Sequence, residues 1–484
     1  MSGEDHAGTQ VVVIGAGPAG MTAAYRLAQL GAAVELFEAS PAVGGMARTI
    51  DLWGGRVDIG PHRFFSADRR VNRLWLEVAG DDYQMVDRLT RIYYNGDFFL
   101  YPLRPFDALG KLGPVEALRC IGSYLRARRA GGEQGEVQSF EDWVVQRFGR
   151  RLFNLFFKTY SEKLWGIPCS ELDADFAAQR IRGLSLWGAV ANAVFRGGGN
   201  RHKTLVDRFA YPIGGTGSIY ERMSDRVEAS GGHVHRSCGV DRILVDQGKT
   251  RGVRLRNGKE VEAREVVSSM PLTLLVERLE GVPDEVRDAA RGLRFRNTIL
   301  VYLHVDAIDL FPDNWLYVHA PDLAMGRITN FRNWSPSLHP PTRTTILALE
   351  YWCSREDDEW GWEDKRLIAR GTRELTATGL LRGARVIDGT VLRIPRCYPV
   401  YRRGYARHVE TIRRHLATIE GLQVIGRYGA FKYNNQDHSI LMGLLAAENI
   451  MLGTRHDLWG INADYDAYQE GTRITETGLV DVSP

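Results

Sequence analysis

Val11-Val-Val-Ile-Gly-Ala-Gly-Pro-Ala-Gly20 is the stretch on which the fold turns. Four apolar residues spell a short buried strand that breaks at Gly15 and enters a helix. Gly15 permits the tight turn, Gly17 lets the backbone approach a pyrophosphate, and Gly20 lets the helix pack closely on the strand. The first amides of that helix face anionic phosphates, where the helix dipole favours negative charge. A G-x-G-x-x-G alone is a weak signal, and its surroundings strengthen it. The helical run stops at Gly31, and Val34-Glu-Leu-Phe-Glu38 is a second strand ending in an acid. Glu38 stands where a carboxylate takes the ribose hydroxyls of an adenosine.

A second glycine cluster, Gly44-Gly45-Met-Ala-Arg48, follows. A downstream Gly-Gly-Arg is typical of proteins that hold FAD and is not expected after an NAD-binding unit, so FAD is the expected cofactor. The chain has 484 residues, enough for two or three domains. It is 44% hydrophobic and 25% charged, with mean hydropathy −0.25, an ordinary globular composition. A net charge of +3 is too mild to imply nucleic acid. Cys120, Cys169, Cys238, Cys353 and Cys397 are scattered, without a C-x-x-C pair, so neither zinc nor a disulfide framework is expected. The polar start does not read as a signal peptide and no apolar run is long enough to span a bilayer. A reducing cytoplasm is the expected setting.

Downstream, Val57-Asp-Ile-Gly-Pro-His62 reads as a strand ending in a turn that presents His62. Arg91 to Tyr101 is a hairpin candidate, with Asn95-Gly96 the preferred type I′ pair. From about Phe106 to Arg196 the periodicity is helical, and Ser139-Phe-Glu-Asp142 offers a helix cap. The glycine-rich basic stretches at 130–135 and 197–203 read as loops. A β-rich region starts at Tyr211-Pro-Ile-Gly-Gly-Thr-Gly217 and continues through His233 to Val267, with a turn at Asn257-Gly258. Ile299–Val305, Asn314–Val318 and Thr345–Tyr351 alternate at period two and predict an antiparallel sheet. Leu422 to Gly426 is a strand, followed by a helix from about Ser439.

Several of these stretches together resemble one family, the flavin-dependent UDP-galactopyranose mutases, within the FAD-linked amine oxidase-like superfamily. They are Asp58 to His62, Phe140-Glu-Asp-Trp143, Tyr160-Ser-Glu-Lys-Leu-Trp165, Gln179-Arg180, Tyr211 to Gly217, Arg327-Ile-Thr-Asn-Phe331, Tyr398-Pro399, Gly426 to Tyr433, and Asn435-Gln-Asp-His-Ser439. The resemblance is to the larger eukaryotic type. It implies an α/β fold: a discontinuous Rossmann-like FAD-binding domain with a helical insert and an antiparallel β-sheet substrate domain. The expected boundaries are 8–78, 205–272 and 418–465 for the FAD domain, 105–204 for the insert, and 79–104 with 273–417 for the sheet.

The resemblance also implies a reaction. Reduced FAD uses N5 as a nucleophile on the anomeric carbon of a nucleotide sugar, and pyranose becomes furanose without net redox. The flavin then needs reducing once, by NAD(P)H, rather than at every turnover. His62, Arg180 and Arg327 match catalytic positions, the two arginines holding the diphosphate by paired charge-assisted bonds. Tyr160, Trp165, Tyr317, Tyr398, Tyr433 and Asn435 match substrate-binding positions. Gly15, Gly17, Gly20, Glu38, Gly44, Gly45, Arg48, Gly60, His62, Gly426, Asp437 and Ser439 match cofactor-binding ones, and no metal is implied. Taken alone, either arginine reads as a surface charge, each tyrosine as a packed ring, Trp165 as core and His62 as a satisfied turn residue.

Two departures stand out. Leu103 and Arg104 replace a phenylalanine and a glutamine of the eukaryotic enzymes, which puts the base-stacking ring in question. The link after Tyr433 is also shorter. The alternative function is an FAD-dependent oxidoreductase of the amine oxidase, protoporphyrinogen oxidase or phytoene desaturase type. A flavin-binding scaffold is disfavoured because buried arginines without an anionic partner are costly.

Overall fold

A computed structural model describes residues 8–103, 105–130, 137–176, 208–339, 342–461 and 472–481. Its first sheet is parallel throughout, in the order Leu422–Val424, Glu265–Ser268, Gln10–Ile14, Ala33–Phe37, His233–His235. The opening strand lies at the centre, so Val11, Val12 and Val13 are fully buried between two layers. That is why the strand reads as an unbroken apolar run rather than an alternating one. The helices Pro18–Gln29 and Gln436–Met451 pack against each other. Gly443 permits their close approach, since a Cβ there would lie 2.4 Å from the Ala19 carbonyl oxygen.

The second sheet has seven strands, in the order Val386–Pro399, Phe295–Val305, Thr345–Cys353, Arg327–Asn330, Trp315–Val318, Thr90–Tyr94, Asp97–Leu100. The predicted sheet was wholly antiparallel. It is mixed, because Trp315–Val318 runs parallel to Thr90–Tyr94. More than 200 residues separate those two strands, so no short hairpin dictates their sense. The Asn95-Gly96 hairpin forms as expected, with φ of +50° and +87° at the two turn residues.

Among the elements that escape the sequence reading, two bear on the site and its sheets. A 13-residue helix, Gly217–Ala229, interrupts the region read as β-rich. The strand Val386–Pro399 carries Asp388, Gly389, Arg393 and Pro395, which hide its period. Its register against Phe295–Val305 shifts between Arg296 and Thr298, and Pro395 falls in that irregular stretch, where a strand proline needs no ladder bond. Asn297 Oδ1 accepts from the Arg396 amide there at 2.9 Å. Tyr398 follows immediately, opposite Arg296.

The helical region runs Pro105–Leu112, Pro114–Ala130 and Phe140–Leu152, then a π-helical turn Phe153–Lys158 and the helix Thr159–Trp165. The predicted cap is a full capping box: Ser139 Oγ accepts from the Asp142 amide at 3.1 Å, and Asp142 Oδ2 from the Ser139 amide at 3.1 Å. Of the loops expected at 130–135 and 197–203, Ala130 instead ends a helix and the rest lies outside the described residues. Among the described residues no helix is long and apolar enough to cross a membrane.

Candidate functional site

The cofactor-facing part is built almost wholly from backbone. The helix Pro18–Gln29 begins at Gly17 with no side-chain cap and no acid in its first turn. Its first amides are therefore left for an anion. Gly20 packs so tightly that a Cβ would lie 1.9 Å from the Gly15 carbonyl oxygen. Gly45 passes the same turn, where a Cβ would meet Gly17 Cα at 2.9 Å. Gly44 caps the short 3-10 turn Gly45–Ala47, and Arg48 Nε donates to the Gly45 carbonyl at 3.1 Å.

Glu38 follows the second strand, and its two oxygens accept from the amides of Ala16 at 2.7 Å and Ser40 at 2.8 Å. These bonds hold the carboxylate beside the glycine turn. An uncapped helix start, a side-chain-free approach and an anchored acid fit a dinucleotide such as FAD. At the other end of the chain Gly426 begins a short helix, where a Cβ would lie 2.9 Å from Ala19 Cβ. Asn435 precedes the helix Gln436–Met451. Asp437 is buried in its first turn with Oδ1 3.0 Å from His438 Nδ1, and Ser439 Oγ donates to the Asn435 carbonyl at 3.3 Å.

The turn carrying Gly60 and His62 is pinned by Asp58. This fully buried carboxylate accepts from Thr49 Oγ1 at 2.6 Å, Tyr211 Oη at 2.8 Å and the Thr216 amide at 3.1 Å. Burial outweighs those bonds and pushes its pKa up to about 6. Thr216 Oγ1 donates to the His62 carbonyl at 2.9 Å, fixing the far side of the turn. Among the described residues His62 Nδ1 is buried without a hydrogen-bond partner. Burial, then the charges of Arg327 and Arg427, depress the His62 pKa to about 3, so the ring is neutral.

The second sheet supplies the facing wall. Tyr317, Arg327 and Glu350 are cross-strand neighbours in successive strands. They therefore project from one face of the sheet. Glu350 meets Arg327 through two bonds, Oε1 to Nε at 2.7 Å and Oε2 to Nη2 at 2.6 Å. Arg327 Nη2 also donates to Tyr398 Oη at 3.1 Å. Burial opposes the guanidinium charge most, but Glu350 and the phenols of Tyr398 and Tyr160 together offset it and hold the Arg327 pKa above its ordinary value. A Cβ on Gly60 would come within 3.6 Å of Glu350 Oε1, which puts this pair directly against the His62 turn.

Tyr160 enters from the helix Thr159–Trp165. Its ring stacks on His319 at 4.7 Å and meets Tyr317 and Trp352 edge-on at 5.5 and 5.6 Å. Lys163, three residues on, donates to the carbonyls of Val318 at 3.2 Å and Ala320 at 2.6 Å. That ties the helix to the strand bearing Tyr317. Burial lowers the Lys163 pKa to about 8 and, with Lys163 beside it, that of His319 to about 3. Tyr398 and Tyr433 stack at 5.5 Å, and the Arg427 guanidinium lies 4.9 and 4.4 Å from their ring centres. Arg427 Nη1 donates to the Asn434 carbonyl at 2.8 Å, while buried Nε has no partner. Among the described residues no carboxylate pairs with it.

The structure thus brings Tyr160, Tyr317, Arg327, Tyr398 and Tyr433 into one cluster, with the His62 turn against it. Trp165 is 1% exposed and packs behind Tyr398 and Tyr433, against Phe176 and Tyr401. Leu103 packs against the apolar cluster of Ile92, Phe99, Ala108 and Phe156. Arg180, with Gln179 and Arg104, lies outside the described residues. The reasoning that disfavoured a scaffold needs correction at Arg327, whose anionic partner is Glu350 of the same chain. Glu350 and Arg427 were both missed. A signal for Glu350 was present: a carboxylate inside Thr345–Cys353, a nine-residue strand buried throughout, demands a buried partner.

Comparison with known proteins separates the fold from the reaction. The family model described as flavin containing amine oxidoreductase matches residues 18–451. The phytoene desaturase (neurosporene-forming) of Rhodobacter capsulatus is 29% identical over 287 residues, 54% of this chain and 52% of that protein. A Klebsiella pneumoniae protein named "Probable UDP-galactopyranose mutase" is 28% identical over 174 residues, 34% of this chain and 43% of its own length. The chain thus spans about half the length of the curated relatives it matches. Among solved structures, reduced UDP-galactopyranose mutase superposes with a TM-score of 0.81 over 93% of this chain and 96% of its own, at 22% identity.

Proposed function

The chain belongs to the flavin-containing amine oxidoreductase family, and on that premise we propose that it is an FAD-dependent pyranose–furanose mutase acting on a nucleotide sugar. The observation that supports this reading is the polar cluster around Arg327 and Arg427. Two guanidiniums, one carboxylate and four phenols make it up, whereas a polyene needs apolar surroundings. Setting a hydrocarbon against the unpartnered Nε of Arg427 would leave a buried charge unsolvated, while a diphosphate satisfies it.

FAD, when bound and reduced, supplies the nucleophile of this chemistry at N5. The remaining work falls to the residues. Arg427 carries the less neutralised charge and is the stronger candidate to hold the leaving diphosphate. Arg327, with Nε and Nη2 committed to Glu350, offers Nη1 and is oriented rather than free. Burial, above all, holds the phenols of Tyr160 and Tyr398 well above their ordinary pKa. Both stay protonated at neutral pH and can donate to phosphate oxygens without repelling them. His62, neutral between the two guanidiniums, keeps Nδ1 available for a single hydrogen bond. Arg180 retains the role its motif implies, as a second diphosphate ligand.

The direct test is incubation of dithionite-reduced holoprotein with UDP-galactose and a panel of other nucleotide hexoses. A furanose product without net flavin oxidation is expected. Absence of furanose across the panel sinks the reading. Stoichiometric flavin reduction by a polyene, amine or tetrapyrrole would replace it with the oxidoreductase reading that the carotenoid desaturase relatives favour.

A further inference from the structure

The helix Pro114–Ala130 presents an apolar stripe that the described residues leave uncovered. Val115, Leu118, Ile121 and Leu125 are 63%, 70%, 45% and 47% exposed. They make up four of the nine large apolar side chains exposed among the described residues, gathered on one helix. At about 100° per residue, Leu118, Ile121 and Leu125 fall within about 60° of one another, with Val115 about 60° further round. Arg119 and Arg126 border the stripe beyond Val115, Arg128 borders it beyond Ile121, and Arg129 closes its end.

Charge on this helix is one-sided. It holds four arginines and a single acid, Glu116, so it carries as much net charge as the whole chain. Glu116 points away from the stripe, where Arg151 Nη2 donates to it at 2.8 Å and its side chain is 17% exposed. Arg119 makes only a 3.5 Å contact with it. The exposed face is therefore apolar at its centre, basic at both margins and free of acids.

We propose that this helix docks the protein onto an anionic lipid surface, lying in the interfacial plane with the leucine stripe inserted and the arginines at headgroup level. An apolar stripe flanked by basic residues is the pattern of interfacial helices, and anionic headgroups attract clustered arginines. The four side chains form an exposed ridge along the helix, which suits insertion into a soft layer. A second copy of the chain suits it poorly, because a two-fold contact sets this patch against itself and opposes its arginines without a carboxylate between them. The inference is independent of which reaction the flavin supports.

The test is co-sedimentation of full-length FAD-loaded protein with vesicles, either pure phosphatidylcholine or containing roughly a third phosphatidylglycerol. Binding to the anionic vesicles alone is expected, weakening as salt rises. Leu118→Ser with Leu125→Ser should weaken it about tenfold or more, as should Arg126→Gln with Arg129→Gln, the second pair also flattening the salt dependence. Both pairs replace exposed side chains, and unchanged flavin content and unfolding midpoint verify that the fold is kept. No binding to anionic vesicles, or equal binding by either variant, overturns the proposal. So does a concentration-dependent dimer in sedimentation velocity that Leu118→Ser with Leu125→Ser abolishes, which would make the ridge a self-interface.

Discussion

The two halves of the candidate site, the glycine turn and the sheet side, are built on opposite principles. On the glycine-turn side, recognition is by backbone: amides at an uncapped helix start, glycines that admit no Cβ, and one carboxylate anchored by two amides. On the sheet side it is by side chains, and those are already bonded to each other before any ligand arrives. The first half tolerates no added atom. The second depends on a paired charge at Arg327. A steric fault should therefore abolish the first, and a lost partner should unbalance the second.

The largest effect is expected at Gly20. A Cβ at 1.9 Å from the Gly15 carbonyl forces strand and helix apart, so Gly20→Val should leave flavin per chain below about a tenth of the native level. A Gly20→Val protein that retains full flavin would break the account of a backbone-built wall. Next comes the ion pair. Glu350→Ala strands the Arg327 charge and should cost about 3–5 kcal/mol in urea unfolding. Adding Arg327→Ala should return part of that loss, as an interacting pair requires. Strict additivity of the two substitutions would show the bonds to be incidental.

A smaller effect follows from the histidines. His62 and His319 titrate near pH 3 in the folded protein against an ordinary 6.5. Between those values the unfolded chain binds the extra protons, so their contribution weakens as pH falls from 6.5 toward 3. Asp58, raised to about 6 from 3.8, has the opposite sign within 3.8 to 6. The comparison of native protein with His319→Asn isolates one group. Its stability difference should shrink by about 1–2 kcal/mol between pH 7 and about pH 4.5. A constant difference would deny that His319 is buried neutral. Smallest is Glu38→Ala, expected to weaken flavin binding about fivefold to tenfold in equilibrium titration, the loss of one or two hydrogen bonds. No change would mean that Glu38 only braces the turn.

What was legible tracks sequence distance. The glycine turn, the second strand ending before Glu38, the Asn95-Gly96 hairpin and the Ser139–Asp142 capping box all close within a few tens of residues, and all were read from local pattern. The parallel join of Trp315–Val318 to Thr90–Tyr94 could not be, because strand sense across so long a connection is a matter of topology. The helix Gly217–Ala229 was hidden by a β-rich expectation for its neighbours. Arg427 lay inside a stretch singled out for its tyrosine, yet nothing in its immediate neighbours marked it as a buried cation. Distance is not the whole account: the pairing of Arg327 with Glu350 spans only 23 residues, about as near as Ala16 to Glu38, and was hidden because it depends on the register of two strands.

By itself the sequence determined the glycine-turn half of the site: strand, turn, helix and acid are local geometry, and glycine spacing states directly where no side chain is allowed. Only the tertiary structure decided which charges are available. Arg327 and Arg427 are the same residue type, each beside Tyr398. One is neutralised by a carboxylate brought across the sheet, and the other, among the described residues, meets rings and a carbonyl. A charge acquires its chemistry from what folding places within a few ångströms, and that proximity is written in no single stretch of the chain.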